Sequence, residues 1–462
     1  MKKYIGDKKF YLMVLSVAVP IMIQNGITNF VSLLDNIMVG QIGTEQMSGV
    51  AIVNQLLLVF NLCIFGGISG AGIFTAQYYG CKDREGVRDT FRMKLFISAS
   101  ITIVSLLIFT FWGRQLITLY LHETGDSGNL EFTLMYARKY LKVMMVQMVP
   151  FAVIQTYSGT LRETGETMLP MKAGILAVFV NLILNYILIF GKLGAPALGV
   201  EGAAIATTAS RFVELGIVAG WTHRHTEKNG FIIDAYRSLH IPKSLVLKVL
   251  IMGMPLMVNE ALWSGGQAVL MQCYSIRGLS VVAAFNISST ISNVFNVVFI
   301  ALGNSVGIII GQLLGAGKME EAKDTVRKLM FFAVVECALI GAVLSLFAPL
   351  FPMIYNTSEN IRNLATDFII VSSLCMPIYA FMNVAYFTLR SGGKTIITFF
   401  FDSVYSWVVN IPLAYVLSRF TGMPIIPLYF ICQFVDIIKC IIGYILLKKG
   451  VWMNMIVKND AA

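Results

Sequence analysis

A single carboxylate inside a long apolar stretch is the first place to look for chemistry in this chain. Residues 11–39 are apolar for more than the ~20 residues needed to cross a bilayer, yet they carry Asp35. A charge near the bilayer centre costs about 2.5–3.5 kcal/mol on insertion scales, so it needs a purpose. One reading is an acid at a span end, exposed to headgroups and water. The other is a carboxylate facing an internal cavity, where it takes up a proton or a cation. Asn181 and Asn185 are four apart and share a helix face, and with Thr207 they offer neutral oxygens beside a carboxylate. Sodium requires several such oxygens, whereas a proton requires one carboxylate and a hydrogen-bond partner.

A second set of polar groups follows two prolines, Pro20 and Pro255, each of which removes a helical hydrogen bond and lets a helix bend. Gln24 and Asn25 lie just beyond the first, Asn259 and Glu260 just beyond the second. Trp263 and Trp407 fall in mid-span, where they either pack or line a cavity for flat cations through cation–π contact. Other charges have simpler readings. Arg211 and Glu214, and likewise Asp436 and Lys439, are three apart and can pair along one helix. Asp402 and Glu336 are near span ends and within reach of water. The spans as a whole bury acids in preference to bases.

Enzyme signatures are missing from the sequence. His122, His223, His225 and His240 are placed in loops, so no intramembrane HExxH site forms. The GAGKM at 315–319 has a misplaced first glycine and Met319 where a P-loop needs Ser or Thr. Seven cysteines without CxxC spacing read as small buried hydrophobes, neither disulfides nor metal ligands. No cofactor is implied, and active transport would have to run on an ion gradient.

The elements that position these residues are membrane spans. The chain is 57% hydrophobic and 13% charged, with a mean hydropathy of +0.75. Spans are predicted at 11–39, 46–78, 93–119, 134–161, 170–191, 199–222, 245–274, 280–313, 328–354, 363–389, 395–418 and 424–447, the first being a span and not a removed signal. Lys2, Lys3, Lys8 and Lys9, the even-numbered loops and Lys448, Lys449 and Lys458 hold most of the basic residues. The positive-inside rule then places both termini in the cytoplasm, and the net charge of +10 serves orientation, with no role for nucleic acid. Arg138, Lys139 and Lys142 break the pattern and are assigned to the outer end of the fourth span.

The two halves of the chain repeat. An offset of 235 carries Pro20 onto Pro255, Gly43 onto Gly278, Phe60-Asn61 onto Phe295-Asn296, Gln77 onto Gln312 and Gly80 onto Gly315. An offset of 228 later carries Thr160-Leu161-Arg162 onto Thr388-Leu389-Arg390 and Thr167 onto Thr395. Six spans per half is an even number, so both halves enter the membrane in one orientation. The expected fold is an all-α membrane protein, twelve transmembrane helices in two six-helix lobes related by a pseudo-two-fold axis along the membrane normal. The expected division is 1–222 for the N-lobe, 223–244 for a cytoplasmic linker, 245–449 for the C-lobe and 450–462 for a cytoplasmic tail. Gly303, Gly307, Gly311 and Gly315, every fourth residue, mark a stripe of close helix approach.

Several blocks occurring in order resemble one family. Pro20, Met22, Gln24 and Asn25 followed by LLDNIMVGQIG, then AQYYG, NLILNYILIFG, GVEGAAIATTASR, MPLMVNEALWSGG, GQLLGAGKMEEAKDT and ILLKKGVW, resemble the multidrug and toxic compound extrusion (MATE) family. The resemblance implies a multidrug exporter in the bacterial inner membrane, a monomer that sends out organic cations or other amphiphiles in exchange for protons or sodium ions and so contributes to antibiotic resistance. By resemblance, Asp35 is the first-helix carboxylate of the N-lobe ion site, with Asn181 beside it and Thr207 near it. Asn185 stands where many members have a second aspartate, which leaves one formal negative charge and favours a proton over sodium. Glu260 lies about a turn before the seventh-helix glutamate of the NorM-like branch, and the tenth-helix aspartate of that branch is matched only by Asn383 nearby. The alternatives are a lipid-linked saccharide flippase of related architecture, expected to bury basic residues in its cavity, and an integral-membrane protein without transport.

Overall fold

The computed structural model describes residues 4–120, 130–238, 240–355 and 357–457, without the side chains of Ser32, Leu33, Asn36 and Thr44. Lys2, Lys3, His122 and Lys458 lie outside the described residues. The chain is helical throughout, with no strand among the described residues. Its helices are α1 (Lys8–Gly40), α2 (Thr44–Gly80), α3 (Arg84–Thr118), α4 (Leu130–Glu163), α5 (Met168–Phe190) and α6 (Val200–Arg224), then α7 (Lys243–Ser275), α8 (Leu279–Gly315), α9 (Met319–Phe347), α10 (Glu359–Ser391), α11 (Thr395–Phe420) and α12 (Ile425–Lys448).

Eleven of these are long and apolar enough to cross a membrane. The remaining helix, α4, is long enough at 34 residues, but Arg138, Lys139 and Lys142 dilute its apolar run. They sit in its third and fourth turns, where Lys139 meets Glu201 at 3.3 Å. The fold class expected from the sequence is the one observed. The repeat is visible in the element boundaries: α1 and α7 both have 33 residues, α2 and α8 both 37. The sequence offset of 235 carries Lys8–Gly40 onto Lys243–Ser275 and Thr44–Gly80 onto Leu279–Gly315.

The chain folds into two compact units, one of 1–22, 76–83 and 250–462, the other of 23–75 and 84–249. In the first, α8, α9 and α10 share a core with Val14, Val17, Ala18 and Ile21 of α1. The glycine stripe of α8 does what its spacing suggested. A Cβ at Gly303 would come within 2.7 Å of the Phe387 ring, and one at Gly311 within 2.8 Å of Ala76, so neither position has room for a larger residue. A second aromatic core joins Tyr274, Phe285, Phe368 and Tyr429, edge to face at 5.0–5.9 Å.

In the other unit, α2, α4 and α6 pack around Phe60, Ile64, Tyr140, Met144, Met148 and Ala204. The connection after α6 belongs to this unit and is folded. Phe231, Ile232 and Ala235 are buried, and the Arg92 guanidinium of α3 donates to the carbonyls of Ala235 and Asp234 at 2.8 Å each. His223, expected in a loop, is in the last turn of α6 and reaches the Tyr157 hydroxyl at 3.1 Å. Burial pushes the Tyr236 phenol in this connection up from its ordinary range.

Candidate functional site

The four residues singled out around the first-half carboxylate come together. Asp35 is on α1, Asn181 and Asn185 are one turn apart on α5, and Thr207 is on α6. Asn185 Nδ2 donates to Asp35 Oδ1 at 2.6 Å. With its amide nitrogen turned toward the carboxylate, Asn181 donates to Oδ1 and Oδ2 at 3.1 and 3.2 Å and accepts from Thr207 Oγ1 at 3.2 Å. Both asparagines are almost fully buried, at 5% and 1% exposure. Asn185 Oδ1 is buried without a hydrogen-bond partner, an acceptor beside a carboxylate. Arg211 acts on Asp35 through its field while pairing with Glu214 at 2.7 Å, the one predicted i,i+3 pair that forms as expected.

Gln24, in the same unit, accepts from the Arg162 guanidinium of α4 at 2.6 Å. Gly174 on α5 leaves the space for this amide, because a Cβ there would come within 2.9 Å of Gln24 Nε2. Asn25 is half-buried. Lys94, fully buried on α3, pairs with Glu163 and donates to Thr160 Oγ1 at 3.1 Å.

The second half is built differently at the matching place. Asn259 Nδ2 donates to Asp402 Oδ2 at 3.0 Å, and Ser403 Oγ donates to Asn259 Oδ1 at 2.7 Å. Lys439, 6% exposed, donates to Asp402 Oδ1 at 2.6 Å and lies over the rings of Phe401 and Tyr405. This corrects one expectation and adds to another. Asp402, its side chain 21% exposed, also takes part in an ion pair. Lys439 goes to Asp402 and not to Asp436, which accepts from Asn410 Nδ2 at 2.9 Å. The chain therefore buries bases as well as acids: Lys94, Arg390 and Lys439 are all under 10% exposed. Glu260 sits in the fields of Arg390 and Asp402. Trp407 donates to the Leu262 carbonyl at 2.9 Å with its indole over Gly265 and Gly266, and both Trp407 and Trp263 are exposed.

A departure in α11 accounts for part of this difference. It is π-helical over Phe400–Val404 and Ser406–Asn410, whereas α5 is a plain α-helix. NLILNYIL at 181–188 matches NIPLAYVL at 410–417, so Asn410 is the counterpart of Asn181 at an offset of 229. Thr167 and Thr395, just before, are 228 apart. The second half thus holds one extra residue between these landmarks, and a π-bulge is how a helix absorbs one without breaking. Gly174 consequently faces Asp402 and Ser403 in the alignment of the halves. The insertion is not visible at the offset of 228, which holds as far as Thr167 and Thr395. Nor does the sequence alone give a role to Arg162 and Arg390, although both close the repeated Thr-Leu-Arg.

Among the described residues, no group of three or more His, Cys, Asp or Glu is placed to hold a metal ion. A family model described as MatE matches residues 20–187 and 255–416. The probable multidrug resistance protein NorM of Thermotoga maritima is 25% identical over 410 residues, 88% of this chain and 85% of that one. The probable multidrug resistance protein YoeA of Bacillus subtilis is 22% identical over 412 residues, 88% of this chain and 87% of that one. Among solved structures, an outward-facing multidrug resistance MATE family transporter of the MOP superfamily superposes with a TM-score of 0.85, at 19% identity and 97% of both chains. The Vibrio cholerae MATE transporter VcmN in its bent form gives 0.84, at 18% identity over 96% of this chain and 97% of that one.

Proposed function

The chain belongs to the MatE family, and from that membership we propose that it is a secondary active multidrug exporter of the cell membrane with both termini in the cytoplasm. It would carry amphiphilic or cationic small molecules outward by alternating access, against an inward flow of protons. The relatives named as multidrug resistance proteins support the substrate class.

The observation that carries the coupling is the Asp35 carboxylate with its two asparagines. Each asparagine can turn an N–H toward it, from Asn185 at 2.6 Å and from Asn181 at 3.1 Å. Amide nitrogens facing the carboxylate are donors, so they favour a charged or singly protonated acid over a coordinated metal ion. For sodium the set offers the Asp35 carboxylate, the unpartnered Asn185 Oδ1 and the Thr207 hydroxyl, but only one negative charge, a weaker pull on a cation than two carboxylates would give. A proton needs only the carboxylate and a partner. Its arrival would cancel the charge on α1, fifteen residues beyond the proline at which that helix can bend.

In this reading Gln24, Asn25, Asn259, Glu260, Trp263 and Trp407 contact substrate, and Pro20 and Pro255 act as bends. The test is efflux from proteoliposomes with the pH and sodium gradients imposed separately. Efflux driven by the pH gradient alone is expected. Efflux driven by sodium alone, and lost in Asn185→Ala, would reverse the choice of ion.

A further inference from the structure

The C-terminal segment after α12 is more tightly held than a tail needs to be, and what it holds is the end of α2. Gln77 is fully buried, and all three of its hydrogen bonds go to backbone. Its Nε2 donates to the Ser391 carbonyl at 2.9 Å and to the Asn454 carbonyl at 3.2 Å, and its Oε1 accepts from the Ile456 N–H at 2.9 Å. Two of these partners belong to the tail. The tail is itself anchored: Trp452 is 1% exposed and donates to the Leu447 carbonyl, and Val457 is 2% exposed.

Glycines make the approach possible. A Cβ at Gly392 would overlap the Trp452 carbonyl oxygen, and Gly393, at φ +74°, leaves room for Ile456. The end of α2 meets α8 in the same way. A Cβ at Gly80 would overlap the Gln312 carbonyl, and one at Gly315 the Gln77 carbonyl. Gln77 and Gln312, like Gly80 and Gly315, are repeat counterparts, so the two helix ends meet reciprocally. The tail breaks that reciprocity. The matching segment after the first half, 223–244, goes to Arg92 on α3 instead.

We propose that residues 450–457 form a latch that keys on Gln77 and holds the end of α2 against α8 and α10, and that the latch releases during the transport cycle. An isolated carboxamide saturated by backbone groups has no second use where it lies. A helix end that packs backbone to backbone through glycine holds little side-chain contact of its own, so a strap adds to its hold. The proposal rests on the exporter reading for its role in the cycle, but not for the contact itself.

Hydrogen exchange on the full chain in lipid nanodiscs separates the two. In wild type, the amides of 450–457 and of 76–83 are expected to be protected, and to exchange faster when ethidium, a flat amphiphilic cation, is added. Gln77→Ala is expected to speed exchange in 450–457 by about tenfold or more while α4 stays protected. Gln77→Glu keeps the acceptor for Ile456 but turns an acceptor toward the Ser391 and Asn454 carbonyls, and is expected to speed exchange in the same segment, which reads the contact if Gln77→Ala does not fold. Tail protection unchanged in both variants, or unchanged by ethidium in a wild type that exports it, would overturn the latch. A wild type that exports no ethidium or other amphiphile would overturn the exporter reading, and the effect of the Gln77 variants on the tail would still decide the contact.

Discussion

One turn past their prolines the two halves of this molecule answer the same structural question in opposite ways. In the first half, Gln24 receives a half-buried arginine, Arg162, and a glycine faces it across the helix pair. In the second, Asn259 is held by Asp402 and Ser403, and its neighbour Glu260 lies in the field of Arg390. The acids are also exchanged along the helix. Asp35 has Leu270 as its counterpart at the offset of 235, and Glu260 has Asn25. The repeat therefore preserves helix length, prolines and close-packing glycines, while the titratable groups have moved to different depths. Packing positions tolerate little change, because a Cβ on a glycine contact collides with a neighbour. A polar position can change as long as each buried charge keeps a partner.

The comparison can be broken first at the ion pair. Lys439→Met leaves the half-buried Asp402 carboxylate without its cation and is expected to destabilise the protein by about 3 kcal/mol, with Asp402→Leu recovering much of the loss in the double variant. Thermal unfolding in detergent reads this, and a Lys439→Met protein as stable as wild type would mean that the Asn259 amide alone suffices for Asp402. Arg162→Met should cost less, about 1–3 kcal/mol, because it strands a neutral amide. If Arg162→Met proves the costlier, the halves are less different than their contacts suggest.

Smaller effects sharpen the functional side. Glu260→Gln is expected to lower efflux of cationic dyes by about tenfold, or ~1.4 kcal/mol, and efflux of neutral amphiphiles much less. Equal losses for both classes would place Glu260 in coupling or folding. Cysteines introduced at Arg84, Lys228 and Glu320 should react only from the cytoplasm, and one at Ser358 only from outside. A reversed pattern would overturn the proposed orientation.

Much of this was legible in the sequence because membrane spans announce themselves by length and apolarity, and the repeat by dense matches at a fixed offset. The Asp35 site was legible for a local reason: Asn181 and Asn185 share a face through a four-residue spacing, and the structure puts that face on the carboxylate. The second-half cluster was not. Asp402, Lys439 and Asn259 come from three helices with no local spacing to connect them, and α-helical counting fails through the π-helical stretch. An i,i+3 pairing of Asp436 with Lys439 was a sound local inference that lost to a better partner on another helix. The tail contact was equally hidden, since nothing in Gly450–Val457 points to Gln77.

The central claim is that Asp35 carries the coupling proton. Proteoliposomes with a pH-sensitive dye in the lumen, containing wild type or Asp35→Asn, test it through proton movement evoked by adding substrate. Asp35→Asn keeps the size and hydrogen bonding of the residue and removes its charge. Wild type is expected to move protons on addition of substrate, and Asp35→Asn to move none while remaining folded and able to bind the substrate. Proton movement at the wild-type rate in Asp35→Asn would contradict the account.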